Sequence, residues 1–134
     1  MTVPAYETFA WLVVTEFKHS PDEVTRVVGL APSDCYSKGD PWRGTAKRFT
    51  SAWVLNSPAG KTEPLESVLS ALLDTLETAK AGVLEAGRKF STQIGVAAYF
   101  RESLPVLNLS KELVQRIAQL ECSLDIDTYY LGED

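Results

Sequence analysis

The densest group of residues able to recognise a partner is Ser37-Lys38-Gly39-Asp40-Pro41-Trp42-Arg43, followed by Lys47 and Arg48. Glycine permits backbone angles closed to other residues and bares its amides, so Lys38, Arg43 and Arg48 around Gly39 could converge on an anion. The G-x-x-x-x-G-K-[ST] spacing of a phosphate loop is missing. A plainer reading is a turn in which Asp40 accepts local hydrogen bonds and the cations meet the chain's surplus carboxylates. Trp42 beside Arg43 joins two residue types enriched at interface hot spots. That indole either faces a partner or packs down on a sheet edge. The expected binding residues are therefore Lys38, Gly39, Asp40, Trp42, Arg43 and Arg48.

Asp125-x-Asp127 leaves one face of a strand and could hold a divalent cation. Two carboxylates alone make an incomplete site, since Mg²⁺ usually recruits substrate phosphates as well. As surface residues, the same two charges guard a sheet edge against pairing. His19 is the only histidine, so a Ser–His or Cys–His dyad would have to use it. Its position after the first strand marks it as a surface residue. Cys35 and Cys122 lie far apart and outside any CxxC spacing, so two free thiols are expected. No catalytic residue, metal or cofactor is expected.

These residues need elements to hold them. Residues 6–18 are aromatic and β-branched and alternate in part, which predicts a long strand. It has Phe9, Trp11 and Val13 on one face, and Ala10, Leu12 and Val14 on the other. Apolar residues on both faces place it centrally in a sheet. Trp11 and Trp53 read as core residues. Ser20-Pro21-Asp22-Glu23 predicts a helix start with a capping box closed by Glu23, and the helix stops at Gly29. Residues 30–48 read as loop with a short strand at 34–38, and 49–57 as a second strand.

From 62 to 80, Leu65, Val68, Leu69, Leu72, Leu73 and Leu76 recur at helical spacing, which predicts the longest amphipathic helix. A short helical turn follows near 83–88. Then comes a strand over 91–100 in which Gly95 marks a bulge or a close backbone approach. A helix from Ser110 to Gln119 presents Leu113, Val114, Ile117 and Leu120. The last element is a half-buried strand over 123–131, with Leu124, Ile126 and Thr128 inward. The order predicts an α+β chain, a two-layer α/β sandwich with a ferredoxin-like β-α-β-β-α-β core extended by a C-terminal α-β unit.

With 134 residues, 45% hydrophobic and 23% charged, the composition is that of one globular domain spanning 1–134 and excludes a disordered or fibrous chain. The net charge of −5 opposes binding to nucleic acid or to an anionic membrane. No apolar run approaches a membrane span, and the first residues lack the basic start of a signal peptide. A cytoplasmic protein is the expectation.

The pieces also resemble, in order and spacing, the bacterial domain-of-unknown-function family four-two-seven-nine. They are the leading strand, Ser20-Pro21-Asp22-Glu23, Gly29-Leu30-Ala31-Pro32, Lys38-Gly39-Asp40, Trp53 and the Leu65–Leu76 helix. The closing run adds Leu109-Ser110-Lys111-Glu112, Leu124-Asp125-Ile126-Asp127 and Tyr129. The resemblance covers residues 9–130. It implies a small cytoplasmic bacterial protein, of a kind for which toxin-neutralising immunity roles are suggested, and it carries over no catalytic residues.

The leading expectation is a non-catalytic binding module, of protein-interaction or toxin-immunity type, acting as a monomer or homodimer. Its acidic surface would suit a basic toxin as partner. The alternative is a small-molecule-sensing regulatory domain. An enzyme ranks last, because one histidine and no nucleophile motif leave little chemistry to assign.

Overall fold

The aromatic and β-branched residues after position 5 favour extended backbone. In the computed structural model, which describes residues 5–132, they form β1 (Tyr6–Thr15), the middle strand of a five-stranded sheet. The remaining elements are α1 (Pro21–Val28), β2 (Asp34–Tyr36), β3 (Ala52–Asn56), α2 (Leu65–Glu77), α3 (Lys80–Lys89), β4 (Ser91–Phe100), α4 (Lys111–Gln119) and β5 (Ser123–Tyr130). The strand order is β2-β3-β1-β4-β5. β1 pairs antiparallel with β3 and β4, β2 pairs antiparallel with β3, and β5 runs parallel to β4. The mixed α+β class holds. Residues 1–4, part of the N-terminal stretch expected to lack a signal-peptide start, lie outside the described residues, as do 133–134.

Alternation along β1 divides the sheet into two unlike faces. Ala10, Leu12 and Val14 are buried and join Ile94 and Val96 of β4 in one core with the leucine stripe of α2. Buried residues from every described helix enter that same cluster. Phe9, Trp11 and Val13 point the other way and stay partly exposed. Trp11 is thus no core residue, whereas Trp53 is fully buried and its indole N–H donates to Thr25 Oγ1 at 2.9 Å. Trp11 lies across Gly95, its register partner on β4. A methyl at Gly95 would overlap the indole ring, so the close approach predicted there is real and is made by a side chain.

Several boundaries differ from expectation for local reasons. β1 stops at Thr15 because Glu16 turns at φ 65°. β3 starts at Ala52, leaving Phe49 exposed. The helix predicted over 62–80 is shorter at both ends, as α2 (Leu65–Glu77). α2 opens after Pro64, and its end is marked by Thr78, whose hydroxyl donates to the Thr75 carbonyl at 2.6 Å. α3 then spans ten residues where only a short turn was expected. Gly82 argues against helix by propensity, yet it sits where α3 meets the last carbonyls of α1, a contact too close for any side chain.

The capping box does not form. Ser20 makes no side-chain cap bond, and Glu23 Oε2 is buried without a partner among the described residues. Ser110 does cap α4, accepting from Leu113 N at 3.2 Å. Val114, predicted to be buried, is 51% exposed, because α4 packs chiefly on α2 and β5 and turns Val114 away from them. β5 is exposed along its length rather than half-buried. Its register puts Leu124 and Ile126 beside Ile94 and Val96, but it is the outermost strand and α4 covers it thinly.

Candidate functional site

Residues 37–48 fold back on themselves as a small hairpin projecting from the β2 edge. Gly39 N donates to Arg48 O and Arg48 N to Asp40 O, both at 2.9 Å, and Pro41 bridges Lys47. Trp42 N donates to Ala46 O at 3.0 Å and Ala46 N to Arg43 O at 2.8 Å, closing the tip. At the base, Ser51 Oγ accepts from Lys38 N and Asp40 Oδ2 accepts from Ser37 N. Asp40 therefore uses its carboxylate inside the turn, as the plainer reading expected. Gly39 adopts φ 94° there.

The hairpin sets its aromatic and cationic side chains against one another. The Arg48 guanidinium lies 3.9 Å from the Tyr36 ring centre and 5.0 Å from that of Trp42, while Arg43 lies 5.0 Å from Trp42. The indole is 45% exposed, so it faces solvent rather than the sheet. Stacking on a ring face leaves guanidinium N–H groups available. Among the described residues, no carboxylate lies within ion-pair distance of Arg43 or Arg48. Among the described residues, the expected pairing of these cations with surplus carboxylates is not made.

Arg116 of α4 is built in the opposite way. Its Nε and Nη2 donate to the two oxygens of Glu77 at 2.9 and 2.7 Å, Nη2 also donates to Asp74 at 2.6 Å, and Nη1 to Ser70 Oγ at 3.2 Å. The Arg116 hydrogen bonds to Glu77, above all, hold the Glu77 carboxyl below its ordinary range. The cluster fastens α4 to α2.

A third feature opens beside the first half of β1, where segment 57–61 leaves β3. Ser57 N donates to Ala10 O and Thr8 N to Lys61 O. Next to this seam is a cavity of about 660 Å³ whose walls include Phe9, Trp11 and Tyr99 with Glu7, Lys61 and Thr8. Phe9 meets Tyr99 edge-on at 5.8 Å, and Tyr99 stacks on Tyr129 at 4.9 Å.

A family model described as a domain of unknown function, DUF4279, matches residues 6–131. The chain belongs to this family. No curated protein and no solved structure matches it. The match takes in every strand and helix of this DUF4279 chain, from the first residue of β1 to the residue after β5.

Within the DUF4279 chain the predicted site residues gather only in part. Trp42, Arg43 and Arg48 come together, and Tyr36, not among the expected binding residues, completes the group. Its signal was weak: one aromatic residue just before the loop. Lys38 is exposed, and only its backbone enters the network. Asp125 and Asp127 sit beside Gly95 and Ala97 on the helix-free face, and no group of three metal-ligating side chains exists among the described residues. They act instead on Tyr129, whose hydroxyl is pushed above its ordinary range, chiefly by the Asp127 charge. His19 is exposed. Cys35 and Cys122 are both free and belong to opposite edges of the sheet, and burial raises the Cys122 thiol. No described helix is long and apolar enough to cross a membrane.

Proposed function

We propose that this DUF4279 chain is a non-catalytic binding module of a bacterial cytoplasm, of protein-interaction or toxin-immunity type, that meets its protein partner through the hairpin 37–48. The reading rests on one observation. Arg43 and Arg48 rest against aromatic rings and, among the described residues, against no carboxylate, so a solvent-facing Trp42 has two guanidiniums near its ring with donors to offer. Such a group is ordered before contact, which lowers the entropy lost on binding. The net charge of −5 steers a basic partner such as a toxin. The hairpin cations then meet carboxylate or aromatic groups at the contact itself.

The fold reading fits a platform role. The order β2-β3-β1-β4 with antiparallel neighbours supports reading this part as a two-layer, ferredoxin-like β-α-β-β-α-β core extended by α4 and β5. The test compares capture from native lysate by the wild-type chain and by Trp42→Ala with Arg43→Ala. A partner held by the wild type and lost by the double variant, at an unchanged thermal midpoint, supports the hairpin. Equal capture by both rejects it.

A further inference from the structure

We infer that the cavity beside the first half of β1 is a binding site for a zwitterionic α-amino acid carrying an apolar ring. The volume, about 660 Å³, falls within the roughly 300–1,000 Å³ of small-ligand sites. Its walls combine an apolar surface with a few polar groups, the composition such sites need. Three aromatic side chains contribute to that surface, and packing holds them in place: Phe9 against Tyr99, Tyr99 against Tyr129, and Trp11 against the bare backbone of Gly95. A flat apolar ring is the shape that such walls accept.

The polar groups choose among ring-bearing ligands. Glu7 and Lys61 stand side by side at 3.6 Å, beyond hydrogen-bond distance, with side chains 31% and 58% exposed. An exposed pair at this spacing holds together weakly, so a ligand can part it at little cost. A ligand with one ammonium and one carboxylate satisfies both, the ammonium on Glu7 and the carboxylate on Lys61. A simple amine leaves Lys61 unmatched, and a simple acid leaves Glu7 unmatched. A phosphate-bearing ligand meets one cation and one opposing carboxylate.

The site is separate from the hairpin, and so is its test. L-Phenylalanine is titrated into the full chain by calorimetry, alongside 2-phenylethylamine, which lacks the carboxylate, and 3-phenylpropionate, which lacks the ammonium. The expected result is saturable binding of phenylalanine, with each half-ligand about tenfold weaker or more. Glu7→Gln should weaken phenylalanine and phenylethylamine but spare phenylpropionate, and Lys61→Met should do the reverse. Both positions are partly exposed, so the variants fold. Trp42→Ala with Arg43→Ala should leave the phenylalanine titration unchanged, whatever it does to protein capture. Absence of saturable binding, a half-ligand as tight as phenylalanine, or loss of binding in the hairpin variant would each overturn the assignment.

Discussion

Arg116 and Arg48 are both partly buried, but their surroundings differ in kind. Arg116 gives its donors to Glu77, Asp74 and Ser70, so its hydrogen bonds stay within the molecule and tie one helix to another. Arg48 has its guanidinium over the Tyr36 ring and near that of Trp42, and it meets no carboxylate among the described residues. The guanidinium paired with carboxylates is structural because it is already satisfied. The stacked one is ordered yet unsatisfied, which is the condition a contact residue needs. For an arginine on this protein, what the planar group rests against says more about its role than its exposure does.

The comparison can be broken first at its foundation. Arg116 clamps α4 to a helix that is itself seated by apolar burial, and Leu72 lies fully buried in that seat. Leu72→Ala should lower stability by about 2–5 kcal/mol in urea denaturation, more than any arginine variant. A loss below about 0.5 kcal/mol would mean that α2 does not depend on its leucine stripe.

Arg116→Met should cost less, about 1–2 kcal/mol, because charged hydrogen bonds are lost while the carboxylates that made them are exposed enough to regain water. The pH profile separates this from general damage. Glu77 is held below its ordinary range, so its contribution is complete above that range and disappears as pH falls through the lowered folded value. The wild type should therefore lose stability on acidification through this window, and Arg116→Met should lose less. Parallel curves would assign the clamp no electrostatic part.

Arg48→Ala sharpens the other half and has the smallest expected effect. An exposed cation–π contact contributes about 0.5–1 kcal/mol, so the thermal midpoint should move by no more than a few degrees. Trp42 emission should shift as its cationic cover leaves, and capture of a protein partner should weaken. A stability loss as large as that of Arg116→Met would make the hairpin a structural clamp as well.

Much of the fold was legible in the residues. Strand β4 lies where Ser91–Phe100 predicted it, α1 ends before Gly29, and the leucine stripe of α2 is buried as spaced. These features depend on side chains one turn or one strand step apart. The clamp escaped notice because Ser70, Asp74 and Glu77 read as a solvated helix face, and nothing local indicates that Arg116, 39 residues after Glu77, stacks against it. Likewise, Leu124, Ile126 and Thr128 alternate as a half-buried strand should, but only the sheet order makes β5 an edge.

By itself, the sequence determined most of the strands and helices, the apolar stripe of α2, and that residues 37–48 form a polar loop rich in cations. Only the tertiary structure decided what each charged group meets: aromatic faces for Arg43 and Arg48, carboxylates for Arg116, and for Glu7 a lysine at the mouth of an aromatic cavity. Periodicity acts between neighbours along the chain and can be read from spacing. The partner of a long charged side chain depends on which elements pack side by side, and that follows from the path of the whole chain.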